Sequence, residues 1–141
     1  MAKKTNFFKS SALTFGEQAG RMSSTHPGFR LRLRRNSARW IGELQPSALS
    51  ETYTVQIDYV LRKRPKVWVL KPQLRGVLPE EKIKHTFSDG SLCLHLHQDW
   101  TPAMFIADTT VAWLAYWLLH YEFWQATGQW LGGGHEPRPR K

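Results

Sequence analysis

Cys93 is the only cysteine in the chain, and it lies within Asp89-Gly90-Ser91-Leu92-Cys93-Leu94, seven residues ahead of Trp100-Thr101-Pro102. A turn of Asp, Gly and Ser leading into a short apolar stretch reads as a turn followed by a strand. Such a setting can present a thiol as a nucleophile rather than bury it. A thiol of pKa about 8.5 is mostly protonated at neutral pH, so attack on a carbonyl calls for a nearby base or cation. His85, within hydrogen-bond reach, would complete a cysteine–histidine dyad. His95, two residues beyond Cys93, would share its face of a regular strand. It ranks ahead of Asp89, His97, Asp99 and His135 as a third, orienting group. The chemistry of such a set is acyl transfer through a thioester. Against it, an isolated cysteine is more often a small buried hydrophobe. The Cys-x-His-x-His run lacks the paired spacing of structural zinc sites, so no metal or cofactor is expected.

The elements that must position these residues follow from periodicity. Thr14 and Glu17 have the spacing of a capping box, which predicts a short helix from Phe15 to Met22. His26-Pro27-Gly28 then breaks the chain. Phe29, Leu31 and Leu33 alternate with Arg30, Arg32 and Arg34, a half-buried strand with a basic outer face. A second strand spans 39–44 and is stopped by Pro46. A third places Tyr53, Val55, Ile57 and Tyr59 on one face, and a fourth, more buried, covers 67–70. Four strands with short turns make an antiparallel meander. Residues 71–92 carry Pro72, Gly76, Pro79 and Gly90 without periodicity, and an irregular stretch of that length is usually functional. Thr101 as N-cap, Pro102 at the first helical position and Gly128 at the end predict a long helix. It is apolar on so many sides that it needs cover from a sheet and from another segment.

The chain has 141 residues and a formal charge of +9. That length suits one domain, here residues 27–131, after a partly helical or flexible segment 1–26 and before a flexible basic tail 132–141. One cysteine excludes an internal disulfide. The longest apolar run, Val111 to Trp124, falls short of the ~20 residues that span a bilayer, and no signal peptide is recognisable. The expectation is a cytoplasmic protein without a membrane partner. The charge favours acidic partners. The arginines at 30, 32, 34, 35 and 39 read first as a solvated face and second as a docking surface. Nucleic acid is the weaker partner, because no groove helix or stacking platform accompanies them.

The order of these features resembles the ubiquitin-conjugating enzyme fold, from about Phe29 to about Trp124. The resemblance rests on Trp40, Pro65-Lys66-Val67, Asp89-Gly90-Ser91-Leu92-Cys93-Leu94 and Trp100-Thr101-Pro102. The later residues Trp113, Tyr121-Glu122, Ala126-Thr127-Gly128 and Trp130-Leu131-Gly132-Gly133-Gly134 are similar to the stand-alone bacterial branch of cyclic-oligonucleotide antiphage (CBASS) systems. Members of that branch are encoded beside a cGAS-like nucleotidyltransferase whose C-terminus they conjugate. The resemblance implies an α+β fold: a four-stranded antiparallel meander, a short N-terminal helix and a long helix after the cysteine. It implies Cys93 as the catalytic residue. Eukaryotic relatives carry His-Pro-Asn before the cysteine; His85 stands at the Asn position, preceded by Ile83-Lys84, and the cysteine-to-tryptophan spacing is one residue shorter. Aligned there, His85 would serve as base or oxyanion donor.

The implied function is an acyltransferase that holds the nucleotidyltransferase C-terminus on Cys93 and passes it to an amine, such as a lysine of an acceptor protein. A thioester made from a free carboxylate requires ATP-driven activation, and no Gly-rich phosphate loop is present. Either a separate activating enzyme loads Cys93, or the dyad acylates itself from an existing amide. Two other classes remain open: a non-catalytic module that scaffolds the nucleotidyltransferase, and a basic nucleic-acid-binding protein.

Overall fold

Period-two burial builds the sheet. In the computed structural model, which describes residues 12–95 and 99–131, β1 (Arg30–Leu33), β2 (Ser37–Leu44), β3 (Tyr53–Val60) and β4 (Lys66–Lys71) pair antiparallel in the order β1-β2-β3-β4. Tyr53, Val55, Ile57 and Tyr59 of β3 are buried, as are Ala38 and Trp40 of β2. Successive strand residues face opposite sides, so these six share the covered face. Helix α1 (Phe15–Thr25) precedes the sheet, and helix α2 (Thr110–Thr127) follows the loops that carry the cysteine. One apolar cluster joins Met22 of α1, the covered sheet face, and Leu114, Trp117, Leu118, Tyr121 and Trp124 of α2. Each large side chain removed from water in this way contributes about 1.5–3 kcal/mol before conformational entropy is charged. The mixed architecture of meander and two helices is the one the sequence implied. The residues at 1–11, 96–98 and 132–141, including the tail, lie outside the described residues.

Local signals hold where chemistry is short-range. The Thr14 hydroxyl accepts from the Glu17 amide at 3.1 Å and the Glu17 carboxylate accepts from the Thr14 amide at 2.9 Å, the reciprocal capping box. At the other end Gly128 takes φ 80°, a left-handed cap that a residue with a Cβ adopts at a cost, and α2 stops there.

Three expectations are corrected. β1 is exposed along its whole length rather than half-buried, because among the described residues it is an edge strand with β2 on one side only. β4 is not the more buried strand: Val67 is inside, but Leu70 is 46% exposed. The long helix begins at Thr110, not at Thr101–Pro102. Its would-be first turn is dismantled by the α1 region. The Leu13 amide donates to the Pro102 carbonyl at 2.9 Å. The buried Gln18 side chain donates to the Met104 carbonyl and accepts from the Ile106 amide, both at 2.9 Å. Those are backbone groups a helix through 102–108 would have used internally. Residues 101–109 form a chain of turns instead.

Candidate active site

The cysteine sits on a two-stranded ribbon folded back on itself. Thr86 and Leu92 form an antiparallel bridge, the Phe87 amide donates to the Ser91 carbonyl at 2.8 Å, and the Cys93 amide donates to the His85 carbonyl at 2.8 Å. The register therefore brings His85 and Cys93 together as backbone partners. The turn between them is made by Gly90 at φ 87°, in the region where glycine carries no Cβ penalty. Asp89 locks that turn: one carboxylate oxygen accepts from the Ser91 amide at 2.9 Å and from the Ser91 hydroxyl at 2.6 Å. The other accepts from Lys66 at 3.2 Å. The Ser91 hydroxyl and then the Ser91 amide hold the Asp89 carboxyl below its usual range; burial opposes them, and Lys66 adds a smaller downward pull. Asp89 thus has a structural task in the turn.

The ribbon is fastened to β4. The Leu92 amide donates to the Val67 carbonyl at 2.8 Å, and the Trp68 indole donates to the Asp89 carbonyl at 3.1 Å. Lys66 and Trp68 were visible in the sequence only as strand residues. Their second role needed the fold.

Cys93 is 4% exposed, so the thiol is not displayed as the turn-then-strand reading expected. Its Sγ lies 3.9 Å from the His95 carbonyl, a weak bond in which the thiol donates. The ribbon folds the thiol inward, while its sequence neighbours Leu92, Leu94 and His95 line an adjoining cleft of about 250 Å³. Phe87, Lys66 and Arg64 form other parts of that cleft, and the Arg64 guanidinium sits 5.3 Å from the Phe87 ring centre. His95 is buried with its ring 4.5 Å from that of Trp113 on α2. Asp99 is exposed, and His97 and His135 lie outside the described residues.

His85 has φ 57°, a left-handed conformation that few non-glycine residues take, although histidine is among the more tolerant. Strained backbone of this kind concentrates at functional positions. Its ring lies 4.8 Å from that of Trp130. Trp130 reaches it because the left-handed cap at Gly128 turns the chain back, and its indole packs edge-on against Trp117 at 5.1 Å and Trp124 at 5.8 Å. Sequence reasoning missed Trp130 as part of the site. The available signal was a helix-ending glycine followed closely by a large aromatic.

Beyond the site, Glu122 of α2 accepts from Tyr53 and Ser50 at 2.7 Å each and pins the β2–β3 loop. Burial, then the hydrogen bond to Glu122, raises the Tyr53 phenol above its ordinary range. Tyr121 and Gln125 hold the backbone of Arg75 in the irregular stretch.

The family model for the type II CBASS E2 protein matches residues 18–137, and the chain belongs to that family. Membership gives it an E2-like role in CBASS antiviral defence, among other CBASS proteins. Comparison with curated proteins gave no match. Among the described residues no helix is long and apolar enough to cross a membrane.

Proposed function

We propose that this protein is a cysteine acyltransferase of ubiquitin-conjugating fold that carries the C-terminus of a CBASS cGAS-like nucleotidyltransferase. The observation that carries this reading is the 2.8 Å backbone bond joining His85 to Cys93 beside a cleft, in a chain of the E2 family. The Cys93 sulfur attacks the donor carbonyl carbon, and the carbonyl electron pair moves onto oxygen. His85 takes the thiol proton as base, and the imidazolium so formed donates to that oxyanion. Collapse expels the leaving group, the amine of an existing amide or the thiolate of a separate activating enzyme, and in either case the proton held by His85 passes to it. An acceptor lysine amine then attacks the thioester, the sulfur departs as thiolate, and His85 receives the amine's proton. His95, through its carbonyl against Sγ, positions the thiol.

The test mixes the purified protein with its neighbouring nucleotidyltransferase, with and without ATP, and reads intact mass. A thiol-labile adduct absent from Cys93→Ala supports the reading. An adduct formed by the two proteins without ATP selects self-acylation, and an adduct that appears only when ATP and a cell extract supplying an activating enzyme are added selects loading by that enzyme.

The deep burial of Cys93 favours a second reading, a scaffold that grips the nucleotidyltransferase without chemistry. A stable complex with no adduct, and antiphage protection retained by Cys93→Ser, would select it.

A further inference from the structure

The sheet runs β1-β2-β3-β4, so among the described residues β1 has a neighbour on one side only. An edge strand leaves alternate N–H and C=O groups unpaired, a template for one more strand. The register assigns the side chains of β1 to faces. Leu31 and Leu33 pair with Trp40 and Ala38, both buried, so the leucines lie on the core side. They nevertheless remain 39% and 58% exposed; the edge overhangs the core. Arg30 and Arg32 pair with Ile41 and Arg39 on the outer side. There Arg39 is committed to Asp58 through a two-bond fork at 2.8 and 3.0 Å. Arg30, Arg32, Arg34 and Arg35 form no ion pair among the described residues. A groove of about 460 Å³, lined in part by Arg32, Arg34, Ser37 and Tyr59, adjoins the strand.

We infer that β1 is a docking edge for an extended acidic segment of a partner protein, in which acidic and aliphatic residues alternate. Directly opposed residues on neighbouring strands share a face. An incoming strand would therefore set its acidic residues beside Arg30 and Arg32 and its aliphatic residues beside Leu31 and Leu33. Main-chain bonds supply attachment and the alternation supplies selectivity. Two copies of β1 would oppose arginine to arginine, so the charge disfavours self-pairing and selects an acidic partner. A nucleic acid would meet the arginines but leave the leucines and the edge amides unanswered. This surface lies at the opposite edge of the sheet from the Cys93 ribbon and does not depend on the acyl-transfer reading.

The test uses the full chain and a short capped fluorescent peptide alternating Glu and Val. The comparators are a peptide of the same composition with Glu and Val in two blocks, an alternating peptide N-methylated on the pairing edge, and a single-stranded oligonucleotide of similar length. The alternating peptide is expected to bind about tenfold or more tightly than the block and N-methylated peptides, and to slow hydrogen exchange at the β1 amides. Arg30→Glu combined with Arg32→Glu should abolish that preference, and Leu33→Asp, a second exposed change, should weaken it. Equal binding of alternating and block peptides, no added protection at β1, or tighter binding of the oligonucleotide than of the alternating peptide would each overturn the inference.

Discussion

The two edges of this sheet are finished in opposite ways. At β4 the edge is occupied: the Leu92 amide takes the Val67 carbonyl, and Lys66 and Trp68 hold Asp89. The candidate catalytic ribbon is thereby anchored on a rigid element. At β1 the edge is open among the described residues, and it is guarded by arginines instead of being covered. Charge is one device by which natural sheets prevent indiscriminate edge pairing. A covered edge gives precision and an open charged edge gives choice of partner, a division that suits the proposed alignment of a thiol together with engagement of other proteins.

If that division holds, changes at the β4 side alter chemistry and changes at β1 do not. The largest effect is expected from Cys93→Ala, which should remove all thiol-labile adduct by intact mass. Loss of one buried sulfur should cost only about 1 kcal/mol of stability by denaturant melt. An adduct that survives would end the assignment of Cys93. Next, His85→Asn should slow adduct formation about a hundredfold if the imidazole acts as a base. Asparagine tolerates the left-handed backbone, so the melt should barely move. An unchanged rate would remove His85 from the proposed chemistry.

Asp89→Ala should destabilise by about 1 kcal/mol for the lost turn bonds and speed hydrogen exchange at the Leu92 and Cys93 amides. The same residue predicts a pH effect. Its carboxyl is held low in the folded state by Ser91 and Lys66. That contribution is therefore present above the unfolded value, and it is lost as pH falls through the folded one. Stability should decline on acidification below the usual carboxylate range, and Asp89→Asn should flatten that part of the curve. The smallest effect belongs to Arg30→Glu with Arg32→Glu. Exposed changes at the other edge should shift stability by no more than about 0.5 kcal/mol and leave adduct yield at Cys93 unchanged.

Legibility in the sequence followed the range of the physics. β3 could be read almost to the residue because Tyr53, Val55, Ile57 and Tyr59 alternate in the chain as they alternate in the sheet. The start of α1 and the end of α2 were readable because a capping box and a left-handed glycine act within four residues. The start of α2 was misread because Thr101-Pro102 is a sound local signal, overruled by Leu13 and Gln18 from more than eighty residues away. In the site, Cys93 and His85 were named from spacing and resemblance. The burial of the thiol, the tilted packing of His95 against Trp113 and the approach of Trp130 to His85 were not legible. Each depends on which segments pack together, and periodicity carries no information about that.

By itself the sequence determined the strands, the start of α1, the end of α2, the basic character of β1 and the family to which the chain belongs, since all of these are written in residue types at short spacing. Only the tertiary structure decided which edge of the sheet would carry the cysteine ribbon and which would be open among the described residues. It also decided that a thiol in an apparently exposed turn would be folded inward. The reason is that burial and edge coverage are set by contacts between distant segments, whose free energies compete with local preference and at these positions exceed it.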